Sequence, residues 1–171
     1  VLLANLGTPR SPGTGDVRRY LREFLSDPRV LDIPALPRWL LVNLVIAPLR
    51  APRSAAAYRQ IWTERGSPLL VHGQALRDAL AAELGPDCEV ALGMRYGEPS
   101  LTRALDALLR HELARIVCVP LYPQYASSST GSSLERVHQL VAQRWNVPAI
   151  ATLPEFFDAP GFIAALAELA A

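Results

Sequence analysis

Residues 116–145 read IVCVPLYPQYASSSTGSSLERVHQLVAQRW, and this stretch decides the fold. Residues 116–119 are a short apolar run of strand character, residues 134–145 carry a helical pattern, and residues 120–133 join the two. A strand-to-helix loop of this kind sits at the carboxyl edge of a parallel sheet, where open α/β folds bind their ligands. Two tyrosines, a glutamine, five serines, a threonine and a glycine crowd into it. Flat aromatic faces beside hydroxyl and backbone N–H donors suit a large planar ligand that carries anionic groups. The competing reading is a solvated loop with redundant helix caps.

Towards the amino terminus, residues 1–6 form another apolar run, closed by Gly7-Thr8-Pro9, as expected of a buried parallel strand entering a loop. Asp16 is expected to cap a helix with Val17, Tyr20, Leu21, Phe24 and Leu25 on one side, ended by Asp27-Pro28. Pro52 and Ser54 open a helix towards Trp62, and Ser67-Pro68 supplies the cap and first residue of the next. Residues 89–94 read as a strand, 99–113 as a helix, 149–153 as a further strand and 160–170 as a last helix. The alternation predicts an α/β fold, a Rossmann-like parallel sheet flanked by helices. No strand follows the last helix, so the sequence is expected to be a piece of a longer protein.

Composition narrows the function. With 50% hydrophobic and 19% charged residues, the 171-residue chain has the balance of one globular domain. Its formal charge of +1 argues against a nucleic-acid partner held by a broad basic field. All 17 basic residues are arginine, which removes lysine Schiff-base and P-loop chemistry. Cys88 and Cys118 lack metal-ligand spacing and the first residues lack a leader pattern, which predicts a reducing, cytoplasmic setting. There is no G-x-G-x-x-G and no G-x-S-x-G. His72, His111 and His138 are scattered, and Glu135 with His138 at i, i+3 reads as a solvated helix face. No convincing general base and no metal-ligating set is present.

Other rims share the character of the first. Asn5 to Pro9 and Met94-Arg95-Tyr96-Gly97 follow strands, so both can converge with PLYPQY on one edge, and Arg65 to Pro68 opens a helix. Arg95 reads equally as an anchor for a ligand carboxylate and as a surface arginine paired with a nearby acid. Arg50 and Arg53 flank the most apolar region, residues 30–49, which prolines at 34, 37 and 48 fragment. The residues alone favour a core helix there; the alternative is an exposed lip that rests on a membrane or guards a greasy pocket.

The segments NLGTP (5–9), FLSDPRV (24–30), YRQIWTERGSPL (58–69), MRYGEPS (94–100) and PLYPQYASSSTGSS (120–133) together resemble the amino-terminal half of ferrochelatase, over essentially the whole chain. That family inserts ferrous iron into a porphyrin at the end of haem synthesis. The resemblance implies two similar Rossmann-like halves with the porphyrin cleft between them. Residues 1–153 would be the first lobe, and 154–171 a helix leading into the second, which this chain does not contain. It implies porphyrin contacts at Leu6, Arg50, Tyr58, Ser67, Arg95, Tyr122, Gln124 and Tyr125. It reverses the reading of residues 33–49, which become an apolar lip touching the bilayer in membrane-associated members. Some members hold a [2Fe–2S] cluster through a cysteine where this chain has Ser127, so no cluster is expected. The family's catalytic histidine and its acidic partner would lie beyond Ala171. The wording of IWTERGSPL and the long lip look most like members that use protoporphyrin IX, with coproporphyrin III the alternative. A non-catalytic tetrapyrrole carrier is the competing function.

Overall fold

The computed structural model describes residues 1–170. Four parallel strands form the sheet: β1 (Leu2–Gly7), β2 (Ala91–Tyr96), β3 (Arg115–Pro120) and β4 (Ala149–Thr152), in the spatial order β2-β1-β3-β4. The α/β reading therefore holds. The register sets Leu2 beside both Ala91 and Cys118, and Ile116 beside Ile150.

Alternation along β1 divides the core in two. Leu2 and Ala4 join Leu101, Ala104, Leu105 and Leu108 of α5 (Leu101–Leu108) and Val137 and Leu140 of α6 (Ser132–Ala142). Leu3 points to the other face, with Leu92 and Met94, where α4 (Pro68–Leu84) lays Leu70 and Leu80. A strand covered on both faces is apolar without interruption, which is why residues 1–6 read as one run. Each such leucine removed from water contributes about 1.5–3 kcal/mol. Gly93 lets α5 come close: a Cβ there would lie 2.9 Å from the Leu101 Cα.

Several boundaries differ from the sequence reading, each for a physical reason. Strand β2 runs two residues later than expected and takes in Arg95 and Tyr96, because Gly7 pairs with Tyr96 and extends the ladder. In α1 (Thr14–Leu25) the cap position belongs to Gly13, and Asp16 lies in the first turn. There its carboxylate accepts from Ser11 Oγ at 2.6 Å and Arg19 Nη1 at 3.0 Å, and it favours the positive helix end. Helix α5 stops at Leu108, short of the expected residue 113.

The largest departure is the segment before Trp62. Helix α2 (Ala35–Leu40), a π-helical turn (Leu41–Ile46) and α3 (Ala47–Ile61) follow one another without a break, and Pro52 lies inside α3 instead of opening it. A helical proline crowds the carbonyl four residues earlier. For Pro48 that is Leu44, inside the widened turn. Ala47, Ala51 and Ala55, at helical spacing and fully buried, pack α3 tightly on α1 and hold the run together. The remaining helix, α7 (Pro160–Ala170), follows β4.

Candidate functional site

Chain order and spatial order together locate the site. From β1 the chain crosses to β2 on one side and later to β3 on the other, so the switch point lies between the carboxyl ends of β1 and β3. Leu6, Gly7 and Thr8 leave β1 there, and the serine-rich segment leaves β3. Leu121 N–H donates to Ala4 O at 2.8 Å, which holds the start of that segment against β1. Gly7 takes φ +109°, and a Cβ on it would lie 1.8 Å from Tyr96 O, so this crossing of β1 and β2 admits only glycine.

An aromatic ladder lines this edge. Trp62 meets Tyr58 edge-on at 6.2 Å, Tyr58 meets Tyr20 at 6.5 Å, Tyr20 stacks on Phe24 at 6.1 Å, and Phe24 meets Tyr96 at 5.2 Å. The Arg95 guanidinium lies 4.5 Å from the Tyr96 ring centre. Tyr20 Oη donates to Gly7 O at 3.2 Å, which ties α1 to the end of β1. Burial raises the pKa of Tyr20, Tyr58 and Tyr96, and pushes that of Tyr122 up to about 12. These phenols therefore stay neutral and act as donors at physiological pH.

Beside the ladder sits a buried polar knot. The Asp27 side chain is 4% exposed. Its Oδ2 accepts from Arg95 Nη2 at 2.6 Å, Tyr96 Oη at 2.8 Å and Ser132 Oγ at 2.5 Å, while Oδ1 accepts from the Arg29 N–H at 2.7 Å. Burial acts to raise the Asp27 pKa. The hydrogen bonds from Ser132, Tyr96 and Arg29, with the charge of Arg95, outweigh it and hold the carboxyl below the ordinary aspartate value. Arg95 also donates through Nε to Ser132 O at 3.1 Å and to Ser132 Oγ at 2.7 Å.

The serine-rich segment is half helical. Ser127–Gly131 forms a π-helical turn that runs directly into α6. Ser132 and Ser133 are buried, and the Ser133 hydroxyl meets Tyr122 Oη at 3.3 Å. Arg29 pairs with Glu135 and reaches Ser127 Oγ at 3.4 Å. Glu135 is thus committed to an ion pair, and among the described residues no group of three His, Cys, Asp or Glu side chains converges to hold a metal.

The sequence-selected residues fall into two sets. Leu6, Tyr58, Ser67, Arg95 and Tyr122 share the connected edge; Ser67 enters it by accepting from Thr8 Oγ1 at 2.8 Å, and makes no side-chain cap for α4. Arg50, Gln124 and Tyr125 stand exposed around it. Arg50 lies two turns before Tyr58 on α3, and the Tyr125 hydroxyl lies over Gly131 next to Arg29. Asp27, Tyr20, Phe24 and Ser132 belong to the site and were not selected from the sequence. Asp27 stood within the FLSDPRV segment of the resemblance, and its place before Pro28 read as a helix stop.

Residues 35–49 form the outer border. Leu36, Trp39, Leu40, Leu41, Leu44, Val45 and Leu49 are exposed, with Leu36 at 69% and Leu49 at 73%. The core helix favoured by the residues alone is therefore overturned, and the stretch is exposed, as the lip reading expected. Val42 and Ala47 are the fully buried residues of this stretch, because one flank of a single helical run packs on the lobe and the opposite flank lies open. Among the described residues no helix is long and apolar enough to cross a membrane.

A parallel α/β lobe that gathers aromatic, hydroxyl and guanidinium groups at its switch point belongs to the class of Rossmann-like lobes, with that switch point as its candidate ligand site. The chain belongs, more narrowly, to the Ferrochelatase family, whose sequence model matches residues 1–171. It is 46% identical over 169 residues to a ferrochelatase of Coxiella burnetii (strain Dugway 5J108-111), covering 99% of this chain and 47% of that protein. Against a ferrochelatase of Klebsiella pneumoniae (strain 342) it is 47% identical over 167 residues, covering 98% of this chain and 52% of the relative. A ferrochelatase of Legionella pneumophila (strain Paris) shares 45% identity over 169 residues, 99% of this chain and 50% of the relative. The chain spans about half the length of these curated relatives.

Proposed function

We propose that this chain is the porphyrin-gripping lobe of a ferrochelatase, which inserts ferrous iron into protoporphyrin IX. The observation that carries this reading is the convergence of Leu6, Tyr58, Ser67, Arg95 and Tyr122 at one switch point in a chain whose whole length belongs to the family. Leu6 and Tyr122 offer apolar and aromatic surface to the macrocycle, joined by Tyr125 from the rim. Arg50, Tyr58, Ser67, Gln124 and Arg95 offer donors to its carboxylates and to the cleft mouth. Iron and porphyrin are substrates here, and no resident cofactor is assigned.

The mechanism assigned to this half is binding and orientation. Contacts remote from the reacting nitrogens hold the ring in a fixed pose and favour a bent macrocycle, so that binding free energy is available for distortion. Neutral tyrosines suit this task, since they donate without placing a negative charge beside the propionates. Proton removal and metal entry are assigned to a histidine and an acid in the other half of the full-length protein. Residues 1–153 make up this lobe, with 154–171 leading towards the second. The exposed arm rests on a membrane from the cytoplasmic side and admits porphyrin from it.

Titration of the chain with mesoporphyrin IX, read at the Soret band, tests the reading. Saturable binding that weakens in Tyr122→Ala is expected, and a chain that leaves the spectrum unchanged would overturn it. The chain alone is expected to insert neither zinc nor iron. Comparing metallation of protoporphyrin IX and coproporphyrin III by the full-length protein decides the substrate.

A further inference from the structure

We propose that Asp27 is a positioning residue for the ligand edge, holding the serine-rich turn at both ends and aiming Arg95. The inference rests on the porphyrin reading above. One end of the Ser127–Gly131 turn is held directly, through Ser132 Oγ on Asp27 Oδ2. The other is held through Arg29, whose N–H bonds Asp27 Oδ1 and whose side chain meets Ser127 and Glu135. A single carboxylate thereby ties the segment after α1 to β2 and α6, across as many as 105 positions in the chain.

The same carboxylate orients Arg95. Nη2 is fixed on Asp27 and Nε on Ser132, while Nη1 makes no hydrogen bond among the described residues. A guanidinium is a rigid planar fork, so anchoring two nitrogens sets the direction of the third. Arg95 bonds Ser132 and Tyr122 meets Ser133, the next residue, so the guanidinium and the ring-facing phenol share one edge. Arg95 is then both paired with an acid and available to a carboxylate, two readings that looked exclusive in the sequence.

The test compares Asp27→Asn, Asp27→Ala and Ser132→Ala with the unaltered chain, after circular dichroism has shown which variants fold. Two probes are titrated: mesoporphyrin IX, and its dimethyl ester, which lacks the anionic groups. Backbone hydrogen exchange across residues 127–133 is followed in parallel. With its carboxylate replaced, Asp27→Asn is expected to weaken mesoporphyrin IX by about tenfold and the ester by no more than about twofold. Exchange over 127–133 is expected to quicken about tenfold, with Ser132→Ala changing in the same direction. A role confined to general stability would weaken both porphyrins alike and leave the ratio unmoved, which would overturn the proposal. Unchanged exchange in Asp27→Asn would overturn it as well. If the unaltered chain binds neither porphyrin, the porphyrin reading fails, while faster exchange at 127–133 would still support the clamp.

Discussion

The arm at residues 35–49 and the knot around Asp27 border the same edge and are built on opposite physics. The arm leaves seven large apolar side chains in water and is anchored through Val42 and the alanines that follow it. The knot takes a carboxylate almost fully out of water and surrounds it with four donors. Removing a group from the first should barely trouble the fold and should matter only when something covers it. Removing the carboxylate from the second takes from Arg95 Nη2 and the Arg29 N–H the acceptor they share. The contrast separates residues left open for contact from residues committed to architecture.

The sharpest way to break that contrast is Asp27→Ala, which removes the only carboxylate among the described residues that pairs with the Arg95 charge; a loss of about 3 kcal/mol in urea unfolding is expected. A loss too small to resolve would show that the knot is architecturally idle. Acid titration refines the same point. Because the folded Asp27 carboxyl titrates below the ordinary value of 3.8, its contribution is fully present above that pH and disappears as pH falls through the folded value. Asp27→Asn should flatten the acid limb of a stability-against-pH curve and leave the curve near neutrality parallel to that of the unaltered chain.

The arm can be sharpened face by face. Replacing Leu36, Trp39 and Leu44 together by serine should cut binding to phosphatidylcholine–phosphatidylglycerol vesicles more than about tenfold in sedimentation, since each group buries apolar surface there. Val42→Ala on the inner face should instead cost about 1–2 kcal/mol of folding stability and leave vesicle binding as it was. Tyr122→Phe removes only the hydroxyl that meets Ser133 and should cost about 0.5–1.5 kcal/mol in the same unfolding assay. Smallest of all, the triple serine variant should shift folding stability by no more than about 0.5 kcal/mol.

How far the site was legible in the sequence follows the same division. The strands could be read because each is a short apolar run bounded by turn residues, and both faces of the central ones are covered. Leu6, Arg95 and Tyr122 could be placed on one rim because parallel strands end on one side, whereas Ser67, at a helix start, followed from the family resemblance. Tyr96 was seen as a loop residue, whereas it lies in β2, since pairing with Gly7 is settled by the neighbouring strand and not by local composition. Asp27 looked like a helix stop because its partners at 95, 96 and 132 carry no local signature. Pro52 looked like a helix start because the packing of Ala47, Ala51 and Ala55 on α1 is invisible in a window of a few residues.

The amino-acid sequence by itself determined the α/β alternation, the sheet edge that carries the candidate site and the family to which the chain belongs, because apolar runs, turn residues and motif spacing are local properties of the chain. Only the tertiary structure decided between the buried and exposed readings left open for residues 35–49, and showed that Arg95 is gripped by Asp27. Burial and ion pairing depend on what the rest of the chain brings alongside, and here the partners lie 68 and 105 positions apart. Their attraction exists only once the strands have assembled and water has been excluded from between them.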